Sequence, residues 1–382
     1  MKKTVVIILI IALAVCMFAG CSSNTKPVDA DNNSASPEQA ASTRTITDMV
    51  GREVEIPATV EKIVPLGNTP RMIVYLGLAD KVAGISGFDE ETLSPVQAYA
   101  YANKEKWSDL PVVGTDSGGA TDYYPEQIIS VNPDVILCTY TRELADEIQT
   151  KTGIPTVAVS MGTLFAEDYE KALRLLGEVC GVEDRAEEVI GYINECLDDL
   201  NTRTADIPDA DKPSVLGAAA TFKGSHGIEG VYTKYSIFKS INANDVTKSF
   251  TDDTGPNMGG AVVVDKEQII GWNPDIIFLD YTGVNLVRQD YKENPGFYSE
   301  LKAVSKRNIY QYPNSTYYYS NVEIPIVNCY YVASIIYPEQ FKDMVFEDKA
   351  NEIFKFFLGK DNYLSELEAV GAGYGKAALG GE

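Results

Sequence analysis

A twelve-residue block that occurs twice constrains the fold more than any other feature of the sequence. Residues 126–137 (EQIISVNPDVIL) recur as residues 267–278 (EQIIGWNPDIIF), and a Tyr-Thr pair follows each copy, at 140–141 and 281–282. The offset is 141 residues throughout, without a gap. Two copies of one unit at this spacing indicate two related lobes rather than a solenoid of many repeats.

Each copy predicts the same local structure, which is a helix, an Asn-Pro-Asp turn, a buried strand and a loop at the carboxyl end of that strand. Two further short strands are predicted within residues 46–57, around a turn at Val50-Gly51. Other short apolar runs that predict strands separated by helical patterns lie at 62–66, 82–85, 112–113, 156–159 and 214–219. Strands that alternate with helices indicate βαβ units and a mostly parallel sheet.

A long helix is predicted between the two repeats. Apolar residues from Val182 to Leu200 recur at spacings of three and four, which places one apolar stripe on a helix over residues 183–204. Such a helix is roughly 30 Å long at 1.5 Å per residue. The sequence therefore predicts an α/β fold of two Rossmann-like lobes with mostly parallel sheets, joined by a single long interlobe helix. Because ligands bind beyond the carboxyl ends of strands in open α/β sheets, we expect a ligand cleft between the lobes.

The first residues have the composition of a processing segment. Lys2 and Lys3 precede the apolar run Thr4–Val15, and Ala19-Gly20 precede Cys21. This pattern predicts a lipoprotein signal peptide over residues 1–20 and a lipid on Cys21, the alternative being an ordinary signal peptide with a chance cysteine. The remaining predicted segments are a disordered tether (21–43), an N-terminal lobe (44–163), a helical linker (164–207) and a C-terminal lobe with a Gly-rich tail (208–382).

Charge and cysteine usage exclude several classes of partner. The formal net charge of −23 argues against nucleic acid and against general adhesion to an anionic membrane. One histidine and no C-x-x-C pair argue against a zinc or manganese site, so no metal and no cofactor is expected. The four cysteines beyond the signal segment are predicted to be small buried hydrophobic residues: Cys138, Cys180, Cys196 and Cys329.

Three motifs resemble the substrate-binding proteins of iron-chelate and cobalamin importers. They are residues 46–52 (ITDMVGR), residues 76–84 (LGLADKVAG) and the two repeated blocks, and the resemblance covers roughly residues 44–360. It implies an extracytoplasmic, lipid-anchored monomer that delivers a metal chelate to the permease dimer of an ABC importer. It also implies that Glu126 and Glu267 dock onto arginines of the permease. An acid in a first helical turn also complements the helix dipole without any partner.

The resemblance leaves the ligand open among ferric siderophores, haem, cobalamin and oxyanions. Tyrosines in the predicted strand-end loops could pack against a large flat or catecholate ligand, or they could fill half-buried positions. These are Tyr123, Tyr124, Tyr140, Tyr281, Tyr317, Tyr318 and Tyr319. Arg71 at the first strand-to-helix loop suits a carboxylate or phosphate, and otherwise is a surface arginine. His226 is a candidate axial ligand of haem iron or an exposed loop histidine.

Two other classes of function compete with transport. The chain has no G-x-S-x-G, P-loop or H-E-x-x-H motif, so an enzyme is disfavoured and no catalytic residue is assigned. A surface receptor or adhesin without a transporter remains open, and neighbouring permease genes would argue against it.

Overall fold

The computed structural model describes residues 42–115, 122–161, 164–222, 224–250, 260–313 and 321–380. The signal segment, Cys21 and the tyrosines at 317–319 lie outside these residues. Within the described ranges, no helix combines the length and the apolar composition needed to cross a membrane.

The N-terminal lobe consists of an antiparallel hairpin and two small sheets with short helices between their strands. Its elements are β1 (Thr43–Thr47), β2 (Glu53–Pro57), β3 (Ile63–Pro65), α1 (Thr69–Tyr75), β4 (Ile85–Ser86), α2 (Ala98–Ala102), α3 (Lys104–Trp107), β5 (Val112–Thr115), β6 (Asp122–Tyr123), α4 (Pro125–Val131), β7 (Val135–Cys138), α5 (Arg142–Thr152) and β8 (Thr156–Ala158). One sheet has the parallel order β3-β7-β8, and the other has the order β4-β5-β6 with β6 antiparallel.

Two helices, α6 (Glu167–Cys180) and α7 (Glu183–Thr204), follow this lobe. The bounds of α7 are those that the apolar spacing predicts. Its buried residues, which include Val189, Ile193 and Leu200, form one stripe, while its acidic residues face outward. The burial of a single stripe confirms the predicted amphipathic helix.

The C-terminal lobe has one larger sheet. Its elements are β9 (Ser214–Ala218), β10 (Gly230–Tyr232), α8 (Ser236–Ser240), β11 (Asn244–Asp245), β12 (Ala261–Val263), α9 (Lys266–Trp272), β13 (Ile276–Asp280), α10 (Val284–Glu293), α11 (Pro295–Ser299), α12 (Lys302–Ser305), β14 (Ile309–Tyr312), α13 (Glu323–Ile336), α14 (Phe346–Leu358), α15 (Tyr363–Ala369) and β15 (Gly375–Lys376). The order is β12-β10-β9-β13-β14-β15, with β11 also paired to β9. The strands β9, β13 and β14 are mutually parallel, whereas β10, β12 and β15 run antiparallel to their neighbours.

The Asn-Pro-Asp turns have the same structural role in both lobes. Asn132 and Asn273 end α4 and α9 in the left-handed conformation, with φ values of 47° and 41°. Asp134 then accepts hydrogen bonds from the backbone N–H groups at the start of the neighbouring strand β3. Asp275 accepts in the same way from Ser214 at the start of β9. The turn therefore ends a helix and aligns the next strand with its neighbour.

One hydrophobic core extends through both lobes. It includes Ile73 and Leu137 of the N-terminal lobe, Ile193 of α7, and Phe278 and Val327 of the C-terminal lobe. Smaller clusters fill the opposite face of each sheet. The lobes are consequently joined by packed side chains of α13, α14 and α15 as well as by α7, a set of contacts that local sequence patterns do not reveal.

Candidate functional site

In the N-terminal lobe, the loops that follow β3 and β7 lie against each other at the carboxyl end of the parallel sheet. The backbone N–H of Asn68 donates to Thr139 Oγ1 at 2.9 Å. A Cβ atom on Gly67 would lie 2.4 Å from the same oxygen and 3.0 Å from the ring of Tyr140. Glycine is required here, since φ is also +64°. The structure thus places Tyr140, which is buried, directly beneath this loop.

In the C-terminal lobe, the loops that follow β9 and β13 meet in an equivalent way. The hydroxyls of Thr221 and Thr282 are 2.5 Å apart. Gly283 packs so closely that a Cβ atom on it would lie 2.4 Å from the carbonyl oxygen of His226. The hydroxyl of Tyr281 donates to the carbonyl of Val370 at 2.8 Å, so this tyrosine holds the chain that follows α15.

His226 is folded back into its own loop. Its ring stacks on Phe222 with centroids 4.1 Å apart, and its Nε2 lies 2.9 Å from the carbonyl oxygen of Phe222. Because a carbonyl only accepts, Nε2 carries the proton in this arrangement. Coordination of a metal through Nε2 would require that bond to break, and the geometry gives no support to a haem ligand at this nitrogen.

Arg71 is buried rather than exposed, with 4% of its surface accessible. Its Nε donates to Asn321 Oδ1 at 2.7 Å, and a terminal guanidinium nitrogen donates to Asn68 Oδ1 at 2.8 Å. The guanidinium carbon lies 4.6 Å from the ring centroid of Tyr99. These contacts connect the loop after β3 with the segment before α13, and they occupy much of the guanidinium.

Two buried carboxyl groups escaped the sequence analysis. Glu323 in the first turn of α13 is fully buried and accepts a hydrogen bond from the hydroxyl of Tyr75, and burial raises the pKa of both groups. Asp280, at the carboxyl end of β13, is also fully buried and accepts a hydrogen bond from Tyr232. Burial raises the pKa of Asp280 to about 8, although the hydrogen bond from Tyr232 opposes the shift. In the sequence, each of these two acids lies next to a long apolar run, and this position was the only local indication that the carboxyl group is buried.

Among the residues that the structure describes, the other tyrosine candidates, Tyr123, Tyr124 and Tyr281, are not brought to one place by their contacts. The hydroxyl of Tyr123 donates to Glu147 Oε1 at 2.8 Å, and Lys151 lies over its ring, so Tyr123 packs against α5. Tyr124 is exposed at the start of α4. Direct contacts therefore bring Arg71 to the loop beside Tyr140, whereas Tyr123 and Tyr281 have partners elsewhere.

The two glutamates of the repeat occupy equivalent positions. Glu126 and Glu267 lie in the first turns of α4 and α9, and both side chains are exposed. Each helix is anchored by one fully buried isoleucine two residues further on, Ile128 and Ile269. The buried isoleucine fixes the orientation of each helix. An exposed glutamate therefore occupies the equivalent position on both lobes.

Within the described residues, no cluster of three or more His, Cys, Asp and Glu side chains could hold a metal ion. The four cysteines of the folded lobes are free and buried, as the sequence predicts. Burial raises the thiol pKa of Cys138 and of Cys180 to about 12. These thiols are therefore protonated and behave as apolar core residues.

Two α/β lobes, each with loops gathered at the carboxyl ends of its parallel strands, define a class of proteins that bind a small solute. The family model described as periplasmic binding protein matches residues 63–316, and the chain belongs to that family. Its members bind substrates for transport.

Similar proteins of known sequence or structure agree with this assignment. An uncharacterized ABC transporter substrate-binding lipoprotein of Bacillus subtilis, YvrC, is 26% identical over 350 residues, which is 90% of this chain and 100% of the relative. A periplasmic solute binding protein from Veillonella parvula superposes with a TM-score of 0.64 at 21% identity, covering 86% of this chain and 96% of that one. The molybdate-bound MolA protein of Haemophilus influenzae gives 0.63 at 18% identity, with 83% and 98% covered. These structures share the fold.

Proposed function

We propose that this protein is an extracytoplasmic lipoprotein that captures an iron chelate, a siderophore or haem, and delivers it to the permease of an ABC importer. The observation that carries delivery is the pair of exposed glutamates, Glu126 and Glu267, on equivalent helices of the two lobes. Two acidic contacts at equivalent positions of the two lobes suit a permease that is built from two like subunits. Cys21 supplies the lipid anchor, and the tether after it lets the lobes reach the permease.

The cleft binds its ligand through aromatic surface and a few polar groups. Tyr140 lies at the strand-end loop of the N-terminal lobe, and Tyr124 is exposed two residues before Glu126. Since Nε2 of His226 is bonded to Phe222, a ferric siderophore fits the site better than a haem held by that nitrogen. Tyr317, Tyr318 and Tyr319 complete the proposed set of ligand contacts from outside the described residues.

An oxyanion and a corrinoid are the alternative cargoes in the same fold. The MolA structure, whose title names molybdate, motivates the first. The contacts of Arg71 with Asn68, Asn321 and Tyr99 weigh against it, because a compact anion needs donors that are not already engaged. Two other classes of function predict different results. A receptor without transport would function without dependence on the two glutamates. An enzyme would convert the ligand to a product.

The test combines ligand titration with uptake. Ferric siderophores, haemin, cobalamin and molybdate are titrated against the soluble chain that begins at Ser22, with tyrosine and tryptophan fluorescence as the readout. Uptake of the ligand that binds is then measured in cells that carry Glu126→Gln together with Glu267→Gln. We expect saturable one-to-one binding of an iron chelate, unchanged affinity in the double variant, and uptake reduced by about tenfold or more, since buried interfacial charge contacts are worth several kcal/mol.

The matched control is Glu53→Gln with Glu300→Gln, which removes one exposed acid from each lobe at the same change in net charge. This control should take up ligand normally. If only molybdate or only cobalamin binds, that ligand is the cargo and the proposal of an iron chelate is wrong. Normal uptake by the Glu126 and Glu267 double variant would refute the docking role, and conversion of the ligand during titration would make the protein an enzyme.

A further inference from the structure

A buried hydrogen bond crosses the sheet of the C-terminal lobe at the carboxyl end of β13. Asp280 is the last residue of β13 and accepts this bond from the hydroxyl of Tyr232, the last residue of β10. Both residues are fully buried. The strand β9 lies between β10 and β13 in the sheet. The bond therefore connects the end of β13 with a strand that is not its backbone neighbour.

A glycine in β9 leaves space for this contact. Gly217 is the register partner of Phe278 in β13. A Cβ atom on Gly217 would lie 3.3 Å from the ring of Tyr232 and 3.3 Å from the ring of Tyr235. These two rings stack with their centroids 4.2 Å apart. Because a side chain at position 217 would press on both rings, the glycine allows the phenol of Tyr232 to pass over β9 to the carboxyl group.

The carboxyl group of Asp280 also adjoins the loops that follow β9 and β13. Asp280 directly precedes the loop that contains Thr282 and Gly283, and a backbone hydrogen bond from Thr221, after β9, reaches its carboxyl group. The hydroxyls of Thr221 and Thr282 are 2.5 Å apart. A Cβ atom on Gly283 would lie 2.6 Å from the carbonyl oxygen of Ala219, so the two loops are in close contact. A shift of this carboxyl group is therefore transmitted to both loops.

We propose that Asp280 is a positioning residue for ligand binding: its carboxyl group, bound by Tyr232, holds the loops after β9 and β13 in the arrangement that the ligand contacts. In open α/β sheets, ligands bind beyond the carboxyl ends of the strands, where these two loops lie. Asp280 is fully buried and acts through the loops rather than by touching the ligand. The contact with ligand rests on the proposed function, whereas the arrangement of the loops does not.

The surroundings of Asp280 keep its carboxyl group neutral at pH 7. Burial raises its pKa to about 8, and the hydrogen bonds from Tyr232 and Thr221 oppose the rise. The groups that face it are phenols: Tyr232, Tyr235 stacked on that ring, and Tyr312, its fully buried register partner in β14. A ligand that covers the loops excludes more water and favours the neutral carboxyl group further. Ligand binding should therefore weaken as the pH rises through the pKa of the free protein.

The first test measures affinity against pH. A ferric hydroxamate chelate that carries radioactive iron is dialysed to equilibrium against the soluble chain that begins at Ser22, and against its Asp280→Asn variant, from pH 7 to 9. The variant keeps an acceptor for Tyr232 and cannot ionise. We expect the dissociation constant of the parent to rise by about tenfold relative to that of the variant, since the free parent loses its proton near pH 8. The comparison cancels the titration of the chelate and of Lys223 and His226, which both proteins share.

The second test needs no ligand. Tyr232→Phe removes the hydrogen bond to Asp280 and keeps the aromatic ring. Amide hydrogen exchange at pH 7 should be about fivefold faster than in the parent within residues 219–222 and 281–284, because one hydrogen bond no longer restrains these loops. The control is Tyr298→Phe, which removes the hydrogen bond from another fully buried tyrosine of this lobe to an aspartate, Asp290. It should change neither the exchange of these residues nor the affinity.

Two results would overturn the proposal. One is a ratio of the two dissociation constants that stays constant from pH 7 to 9, which is measured without the Tyr232 variant. The other is exchange in Tyr232→Phe that equals the exchange of the parent within both loops. If haemin, cobalamin or molybdate binds instead of the chelate, that ligand takes its place in the first test. If none of them binds, the proposed function fails, while the exchange rates still test the arrangement of the loops.

Discussion

At the scale of single residues, the buried polar groups are the part of the molecule that sequence patterns identify least well. The sequence predicts that Arg71 either binds ligand or lies on the surface, whereas the structure shows it buried, with hydrogen bonds to Asn68 and Asn321. No local pattern identifies Asp280 or Glu323 as buried carboxyl groups. The partners of these side chains come from distant segments, so no local spacing reports them.

Asp280 makes a specific contribution to the dependence of stability on pH. Its pKa is raised from 3.8 to about 8 in the folded chain. Between these values the folded state holds one proton more than the unfolded state, so the free energy of unfolding falls as pH rises, by about 1.4 kcal/mol per pH unit. The contribution is fully present below the unfolded pKa and is lost as pH rises through the folded pKa.

We therefore expect Asp280→Asn, which keeps an acceptor for Tyr232 and cannot ionise, to remove this slope. Urea denaturation of both proteins across roughly pH 5 to 8 measures it. The free energy of unfolding of the variant should exceed that of the parent by an amount that increases with pH. Asp109→Asn, at an exposed position, serves as the control. Parallel stability curves for Asp280→Asn and the parent would show that the carboxyl is ionised in the fold.

At the scale of elements, the sequence predicts those whose patterns are long or repeated. The bounds of α7, the buried strand β7 and the Asn-Pro-Asp turns are as expected, because a 3.6-residue period or a duplicated block carries the information locally. The short helices α2, α3, α11 and α12 were not predicted, since each has about one turn and depends on tertiary contacts. The antiparallel edge strand β15 was missed because its two residues have no strand pattern.

The helix ends at the repeated turns give a test at this scale. Asn132 and Asn273 have positive φ, where a side chain with a Cβ atom is strained and asparagine is tolerated better than most residues. Asn132→Ala should lower the free energy of unfolding by about 1 kcal/mol, whereas Asn132→Gly should change it by less than about 0.5 kcal/mol. Urea denaturation measures both, and the pair Asn273→Ala and Asn273→Gly repeats the comparison in the other lobe. Equal effects of alanine and glycine would contradict the strain argument.

At the scale of the whole molecule, the duplicated block predicts two lobes correctly, but the extent of their contact could not be read from it. A single hydrophobic core includes side chains of both lobes, and α13 contributes to it on nearly every face. Only Ser334 and Ile335 of α13 are not buried. Independent lobes joined by a helix would instead have two separate cores.

A shared core predicts one cooperative unfolding transition. Calorimetry of the chain that begins at Ser22 should give a calorimetric enthalpy equal to the van't Hoff enthalpy, and circular dichroism should report the same midpoint. Arg185→Ala, which releases α1 from α14, should lower the midpoint without splitting the transition. Two resolved transitions in the parent protein would mean that the lobes are energetically independent.

The contacts of α1 with the C-terminal helices also fix an order of events during synthesis. Tyr75 bonds to Glu323, 248 residues later, and the hydroxyl of Tyr363 bonds to Pro95 across 268 residues. The N-terminal lobe is made first but is finished last, because its opening helix stays uncovered until nearly the entire chain has emerged. These two contacts cannot form until nearly all of the chain has been made, and contacts across such long sequence separations slow folding because a large loop must close first.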